Sequence, residues 1–476
     1  MIPLIGWNFY GLFDLDEGFY AAVTSEMNRR GDWIIPYYNG QPWFEKPILL
    51  YWLAKPCVAI FGLWFGPRLP SIFAGLGTYA LIGWFGKRRL SESGGQVSAF
   101  ALATSWLMVA ANRMMLVDPL LVLTLSATFI FFWESLVENS KFRILAAACL
   151  GLSVLDKGPV GAVLFVIVAG WTFWKEPALR IKFKGDWLLS VIAFFVVVGC
   201  WYIPAYLEQG QIFVQKFLVE QNLDRFKGGD EAHRVPMPLG LLYYIPVILL
   251  GMSPWICHAL RGWSRRDRDA SDSAPLKRYL WVWAIAIFAL FTLSSSKLPH
   301  YVLPAFPALA LLAGERLSLN TLVLDKKRLL RMSLASVLLF VILQGGFMFY
   351  YGYSGQQEAQ NLASFVKSRM GAHDVAAEYQ MSRIAGESEL ALHVNETSLP
   401  SLLFYLNQDV PMVDSPSAIL SLLNTGNQKV WLITRKGRIE NSEISRNLGL
   451  SIKRIQTPFP DNAYELFTAE KSKVEI

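Results

Sequence analysis

Long apolar stretches separated by short charged connectors set the plan of this chain. "LPSIFAGLGTYALIGWF" (69–85), "WLLSVIAFFVVVGCWYIPAYL" (187–207) and "MSLASVLLFVILQGGFMFYY" (332–351) are representative. About 17–25 apolar residues let a helix cross a bilayer, and lipid offers an open backbone no hydrogen-bond partner. The pattern therefore predicts a polytopic α-helical membrane protein. About ten spans are expected, near 69–86, 96–112, 119–137, 143–156, 159–174, 187–206, 239–260, 279–296, 301–317 and 332–351. Those at 143–156 and 159–174 are short for a crossing and read as bent or partly re-entrant.

The connectors alternate in character. One set, "KRRLSESGG", "ENSKFR", "KEPALRIKFKGD", "RGWSRRDRDASDSAPLKR" and "DKKRLLR", is dense in Lys and Arg. The positive-inside rule assigns it to the cytoplasm. The other set, "NRMMLVDP", "DKG", 207–238 and "SSSKLPH", holds isolated charges beside Pro and Gly and then faces outward. If "PILLYWLAKPCVAIFGLWF" (47–65) crossed the membrane, Lys87, Arg88 and Arg89 would land outside, so it is expected to lie in the interface, broken near Lys55–Pro56.

Residues 17–30 place Phe19, Tyr20, Val23 and Met27 on one helical face, with Glu26, Arg29 and Arg30 off it. This predicts an amphipathic helix on the membrane surface, with Asp16 as its N-cap. Residues 1–68 thus form an external loop with two interfacial helices, and 1–351 a transmembrane catalytic part. From 352 to 476 the composition becomes that of a small soluble α/β domain, placed externally by the count of crossings. "GQQEAQNLASFVKSRMG", "SLPSLLFYLN" and "SPSAILSLLN" read as its helices, and "ELALHV", "QKVWLITRK" and "AYELFTAEK" as its strands.

Composition agrees with this plan: 53% hydrophobic and 17% charged residues, and a mean hydropathy of +0.34. The net charge of +7 is explained by the basic connectors without invoking nucleic acid. Cys57, Cys149, Cys200 and Cys257 all lie in apolar segments without metal-ligand spacing. No P-loop, dinucleotide fingerprint or internal repeat occurs.

Ionisable residues beside lipid are costly, and by default they mark function. Here they gather on the outward set: Asp14, Asp16, Glu17, Glu45, Lys46, Asp118, Asp156, Lys157, Glu220, Arg225, His233, Lys297 and His300. Several have bland explanations. Asp118 before Pro119 suits a helix cap, Asp156 and Lys157 would neutralise each other, and His233 and His300 read as ordinary interfacial histidines. Two features resist. Asp14, Asp16 and Glu17 crowd three carboxylates where one cap needs one, and "WFEKP" seats Glu45 and Lys46 between aromatics. Lys46, Arg225 and Lys297 together would make a cationic pocket for a phosphate at headgroup depth.

"LDEGFYAAVTSEMNRRGDWIIPYYNGQPWFEKPILLYWL", "NRMMLVDP", "DKGPVG", "EQNLDRF" and "SSSKLPHYVLPAFPALALL" together resemble the polyprenyl-phosphate-dependent glycosyltransferases of the GT-C type. Within them the chain is similar to the group containing the bacterial lipid A aminoarabinose transferase and to the protein mannosyltransferases. The resemblance covers 1–317. It implies transfer of a sugar from an undecaprenyl-phosphate-type carrier to lipid A, another envelope glycan or lipid, or protein, at the outer face of a bacterial inner membrane. By the same match Asp16 is the base that acts on or orients the acceptor, beside Glu17. Lys46, Arg225 and Tyr301 hold the donor phosphate, and Glu45 and Asp118 line the cavity.

The chemistry is consistent with that casting. Displacement by the acceptor inverts the anomeric carbon and builds charge on the departing phosphate, which Lys46, Arg225 and Lys297 would stabilise. Asp14, Asp16, Glu17 and Glu45 are also candidates for holding a divalent cation. Two departures stand out. Only 13 residues precede Asp14, where the family carries a full span, so that span is either lost or encoded upstream; and Phe19 occupies a position that is basic in the aminoarabinose group, which opens the choice to a neutral hexose or another acceptor. The reading from another class is a lipid or anion transporter, whose charges would sit at mid-membrane on broken helices.

Overall fold

The structure, a computed structural model, describes residues 11–12, 16–182, 187–224, 239–261, 274–319, 326–350, 353–381, 399–439, 450–459 and 464–471. Helix α1 (Asp16–Arg30) and a hairpin of β1 (Tyr37–Tyr38) and β2 (Gln41–Pro42) come first. Then follow α2 (Leu49–Phe65), α3 (Leu69–Arg89), α4 (Glu92–Ala103), α5 (Trp106–Asn112), α6 (Asp118–Val137), α7 (Phe142–Lys157), α8 (Val160–Lys175), α9 (Pro177–Lys182) and α10 (Trp187–Gln209). After shorter helices come α11 (Ala274–Leu293), α12 (Phe306–Leu319) and α13 (Lys326–Tyr350). The terminal part holds α14 (Tyr353–Lys367), α15 (Pro400–Leu406), α16 (Pro416–Asn424) and strands β3 to β7. Two compact units result: Met1–Trp7, Phe44–Cys57 and Arg68–Gly345 make the first, and Asn8–Trp43, Val58–Pro67 and Gly346–Ile476 the second.

The first unit is helical and built around α6, which packs on α3, α7, α8 and a 3₁₀ turn at Pro299–Ala305. By contrast α10 exposes Phe195, Val196, Ile203 and Leu207, the surface expected of a helix against lipid. Helices in lipid gain little from hydrophobic burial against one another, so small residues that permit close approach matter. A methyl group added at Gly86 would lie 2.7 Å from the Cα of Gly95, and one at Gly95 would lie 2.3 Å from the Lys87 nitrogen. Larger side chains at either position would force α3 and α4 apart.

Among the described residues four helical stretches are long and apolar enough to cross a membrane: Leu49–Arg89, Asp118–Val137, Trp187–Gln209 and Ala274–Leu293. The run expected as one span at 96–112 is instead α4 and α5, bent by 64°, which makes a fifth if counted as one. Helices α7 and α8 are short, 16 residues each. The stretch 239–260 is divided into Leu239–Leu242, Tyr244–Gly251 and Ile256–Arg261, with a cis Ser253–Pro254 bond between the last two. The membrane part is multi-pass, with more interrupted helices than hydropathy alone suggests. Helix α2 also departs from expectation: it runs through Pro56 and loses helical geometry at Gly62, where φ is 74°. Glycine carries that left-handed conformation without a Cβ clash.

In the second unit α1 is not a surface helix. Glu17, Gly18 and every residue from Tyr20 to Met27 are buried, including Thr24, Ser25 and Glu26, and the helix packs on α15. Of the residues read as polar, Glu26 is covered by protein, which periodicity cannot report, while Arg29 and Arg30 at the end of the helix stay exposed. The β1–β2 hairpin turns through Asn39 and Gly40, both with positive φ, as a two-residue turn demands.

The terminal sheet is mixed, in the order β4-β3-β5-β7-β6. Strands β3 (Asp374–Tyr379), β4 (Met412–Val413) and β5 (Lys429–Arg435) are parallel, while β7 (Tyr464–Lys471) runs antiparallel to β5 and β6 (Leu450–Ile455). Ile419 and Leu423 of α16 close over Val430, Leu432 and Phe467. Strands β5 and β7 and helices α14 to α16 match the sequence reading. Strands β3 and β6 were not foreseen: the Ala-rich "DVAAEY" and the charged edge strand "LSIKRI" lack a strong alternation. The strand expected at 389–394 lies outside the described residues.

Candidate active site

Asp118 opens α6 and Lys157 closes α7, where Gly158 (φ 74°) ends the helix. The Lys157 Nζ donates to Asp118 Oδ1 at 2.5 Å. The charge of Lys157 also reaches Asp156, as expected, but its hydrogen bond goes to Asp118. Successive residues on a helix project about 100° apart, so neighbours in sequence do not meet. Asp156 is fully buried, and neither of its carboxylate oxygens has a hydrogen-bond partner among the described residues. It lies close enough to Asp118 for their charges to interact.

The turn after α11 completes this cluster. His300 Nε2 lies 3.5 Å from Asp118 Oδ2, longer than a normal hydrogen bond but within range of an ion pair. The Tyr301 ring lies beneath the Lys157 ammonium, 4.0 Å from its centroid. His300 was read as an ordinary interfacial histidine; its position one residue before Tyr301 in "KLPHY" was the available signal. Lys46 is half-buried, donates to the Glu45 carbonyl at 3.4 Å, and is close enough to Asp118 for their charges to interact. Three outward-set motifs, "VDP", "DKG" and "KLPHY", thus come together, with Lys46 near them.

Lys297 does something else. Its Nζ donates to the carbonyls of Phe291 (3.2 Å), Thr292 (2.7 Å) and Ser294 (2.7 Å), which satisfies the open end of α11. An ammonium has three donors, and all are engaged. Burial pushes its pKa below the usual lysine value. The cation facing Asp118 is Lys157.

Asp16 and Glu17 sit in the first turn of α1, in the second unit, where the positive end of the helix dipole favours carboxylates. Glu17 is fully buried and Asp16 half-exposed, accepting from Tyr20 Oη at 3.3 Å. Phe19 stacks on Trp43 with centroids 5.0 Å apart and an interplanar angle of 11°, and Tyr38 contacts both. Asp14, Arg225 and His233 lie outside the described residues. Among the described residues no group of three His, Cys, Asp or Glu is arranged to hold a metal ion.

Comparison with known proteins adds a frame. The family model described as dolichyl-phosphate-mannose-protein mannosyltransferase matches residues 45–203, which include Lys46, Asp118 and Lys157. The undecaprenyl phosphate-alpha-4-amino-4-deoxy-L-arabinose arabinosyl transferase of Edwardsiella ictaluri is 30% identical over 314 residues, 63% of this chain and 54% of that protein. Its counterpart in Erwinia tasmaniensis is 28% identical over 321 residues, 66% of this chain and 56% of that protein. The matches span little more than half the length of these relatives. The crystal structure of ArnT from Cupriavidus metallidurans bound to undecaprenyl phosphate superposes with a TM-score of 0.76 at 18% identity, over 98% of this chain and 96% of that one. The oligosaccharyltransferase of Archaeoglobus fulgidus gives 0.50 at 12% identity, over 89% and 65%. The fold shared with these structures is the GT-C fold.

Proposed function

We propose that this chain, a relative of the polyprenyl-phosphate-dependent glycosyltransferases of the GT-C type, moves a sugar from an undecaprenyl-phosphate-type carrier to an envelope acceptor, with inversion. The acceptor is lipid A, another envelope glycan or lipid, or protein, and the reaction takes place at the outer face of the inner membrane. The observation that carries this reading is the buried Asp118–Lys157 pair, with His300 beside it and Lys46 close enough to act on Asp118. Leaving-group charge builds on the carrier phosphate, and Lys46 and Lys157 are the cations placed to stabilise it, with Arg225 and Tyr301 as further contacts. Asp118 holds Lys157 in place for that task. Asp16, beside Glu17, takes the acceptor's proton.

The test is incubation of the purified protein with undecaprenyl-phosphate sugars and lipid A or peptide acceptors. Asp16→Asn and Lys46→Ala are expected to lose transfer while inserting normally in membranes. Absence of transfer from every polyprenyl-phosphate donor tried would overturn the proposal. Transfer is expected to survive EDTA, because lysines supply the positive charge. Loss on chelation and return with Mg²⁺ would instead assign a divalent cation to the acids at 14, 16, 17 and 45.

A further inference from the structure

The terminal domain has no role in the proposed chemistry, yet its residues 407–410 make a row of polar contacts to the segment that carries Asp16 and Glu17. The side-chain amide of Asn39 pairs with the Val410 backbone in both directions: Nδ2 donates to the Val410 carbonyl at 2.8 Å, and the Val410 N–H donates to Oδ1 at 2.9 Å. Ser25 Oγ donates to Asn407 Oδ1 at 2.6 Å. Arg29 makes an ion pair with Asp409.

Two of these residues hold special backbone geometry. Asn39 (φ 50°) forms the hairpin turn, and Asn407 (φ 56°) terminates α15 in the left-handed conformation. Asn tolerates that region better than other non-glycine residues, and its short amide remains available for hydrogen bonding. The contacts reach the middle of α1, its last turn and the hairpin after it, which fixes both the rotation and the slide of the helix. Ser25 is buried, so its hydroxyl is committed to this contact.

From this arrangement we infer that the terminal domain is the holder of α1, and that Asn39, Asn407 and Asp409 are positioning residues for Asp16 and Glu17. The inference rests on the proposed role of those two carboxylates. A carboxylate that must meet an acceptor hydroxyl needs placement to within about 1 Å, and a lone helix linked by short loops does not supply that.

The test uses the full chain in lipid nanodiscs, with amide hydrogen exchange and transfer from an undecaprenyl-phosphate sugar as readouts. In Asn39→Ala and in Arg29→Asp, exchange across Asp16–Arg30 is expected to rise about tenfold or more while β5 and β7 stay protected. The kcat is expected to fall about tenfold with the donor KM unchanged. The swap Arg29→Asp with Asp409→Arg restores both, an effect that general weakening of the fold would not give. Unchanged α1 exchange in both single variants overturns the inference. So does raised exchange with undiminished turnover, and so does loss of protection in β5 and β7 together with α1. If the wild-type chain transfers no sugar, the proposed function fails, while α1 exchange and its recovery in the swap still decide whether the terminal domain holds the helix.

Discussion

Helix α6 buries a carboxylate at each end, and the two are treated differently. At the C-terminal end Glu134 is fully enclosed and taken by two arginines of α3. Arg89 engages it through both Nε and Nη2, and Arg88 adds Nε at 3.1 Å. Glu138, partly exposed, joins the same two arginines. At the N-terminal end Asp118 has one close cation, Lys157, and a histidine at 3.5 Å. An ionised carboxylate has room for about four hydrogen bonds. Glu134 is near its limit, bound in a planar fork that suits a permanent tie. Among the described residues Asp118 accepts one close hydrogen bond, from the flexible Lys157, with His300 and the charge of Lys46 beside it. The sixteen helical steps from one to the other span about 24 Å. Along that length Thr124 and Thr128 return their hydroxyls to backbone carbonyls of the preceding turn. One end is tied by a fork of two arginines and the other by a single close lysine contact, which is what the role proposed for Asp118 and Lys157 requires.

Substitutions sharpen that contrast. The largest effect is expected from Lys157→Ala, with transfer down about 10³-fold because leaving-group charge loses one of its two proposed lysine partners. Initial rates per folded molecule measure this, and a loss below tenfold would move Lys157 out of the site. Next comes Arg89→Ala, expected to cost about 1–3 kcal/mol of unfolding stability by leaving Glu134 to Arg88 alone, with turnover per folded molecule nearly unchanged. Thermal unfolding in detergent checks the first part and the transfer assay the second; a large loss of turnover would break the assignment of that end as structural. His300→Gln is expected to slow transfer about 10²-fold with no shift in unfolding temperature. The smallest effect belongs to Lys297→Met, which opens the end of α11 at a cost of about 1–3 kcal/mol and leaves donor KM unchanged. A raised donor KM there would return Lys297 to the phosphate.

Much of the architecture was legible without coordinates, and for identifiable reasons. Apolar runs in α6, α10 and α11 give their positions because lipid demands closed backbone hydrogen bonding and long hydrophobic length. The α/β character of the terminal domain was also evident from β5, β7 and three amphipathic helices. The motifs "VDP", "DKG" and "KLPHY" flagged their charges because charge beside lipid is rarely idle. What misled was local reasoning about partners. Asp156 and Lys157 are adjacent in sequence, yet only the charge of Lys157 reaches Asp156, and its hydrogen bond goes to Asp118. Glu134 lies inside the run expected as a span at 119–137, where the apolar pattern gave no sign that it is a buried anchor.

From the order of residues alone came the membrane class, the gathering of isolated acids and bases in one set of connectors, and the likeness to glycosyltransferases that use polyprenyl phosphates, since these depend on composition, periodicity and short motifs. Tertiary structure alone decided which lysine meets Asp118, that Lys297 closes a helix end, and that α1 is buried against protein from Tyr20 to Met27. Each of these depends on where side chains distant in sequence come to lie. A one-dimensional pattern records which faces are apolar, but not what covers them.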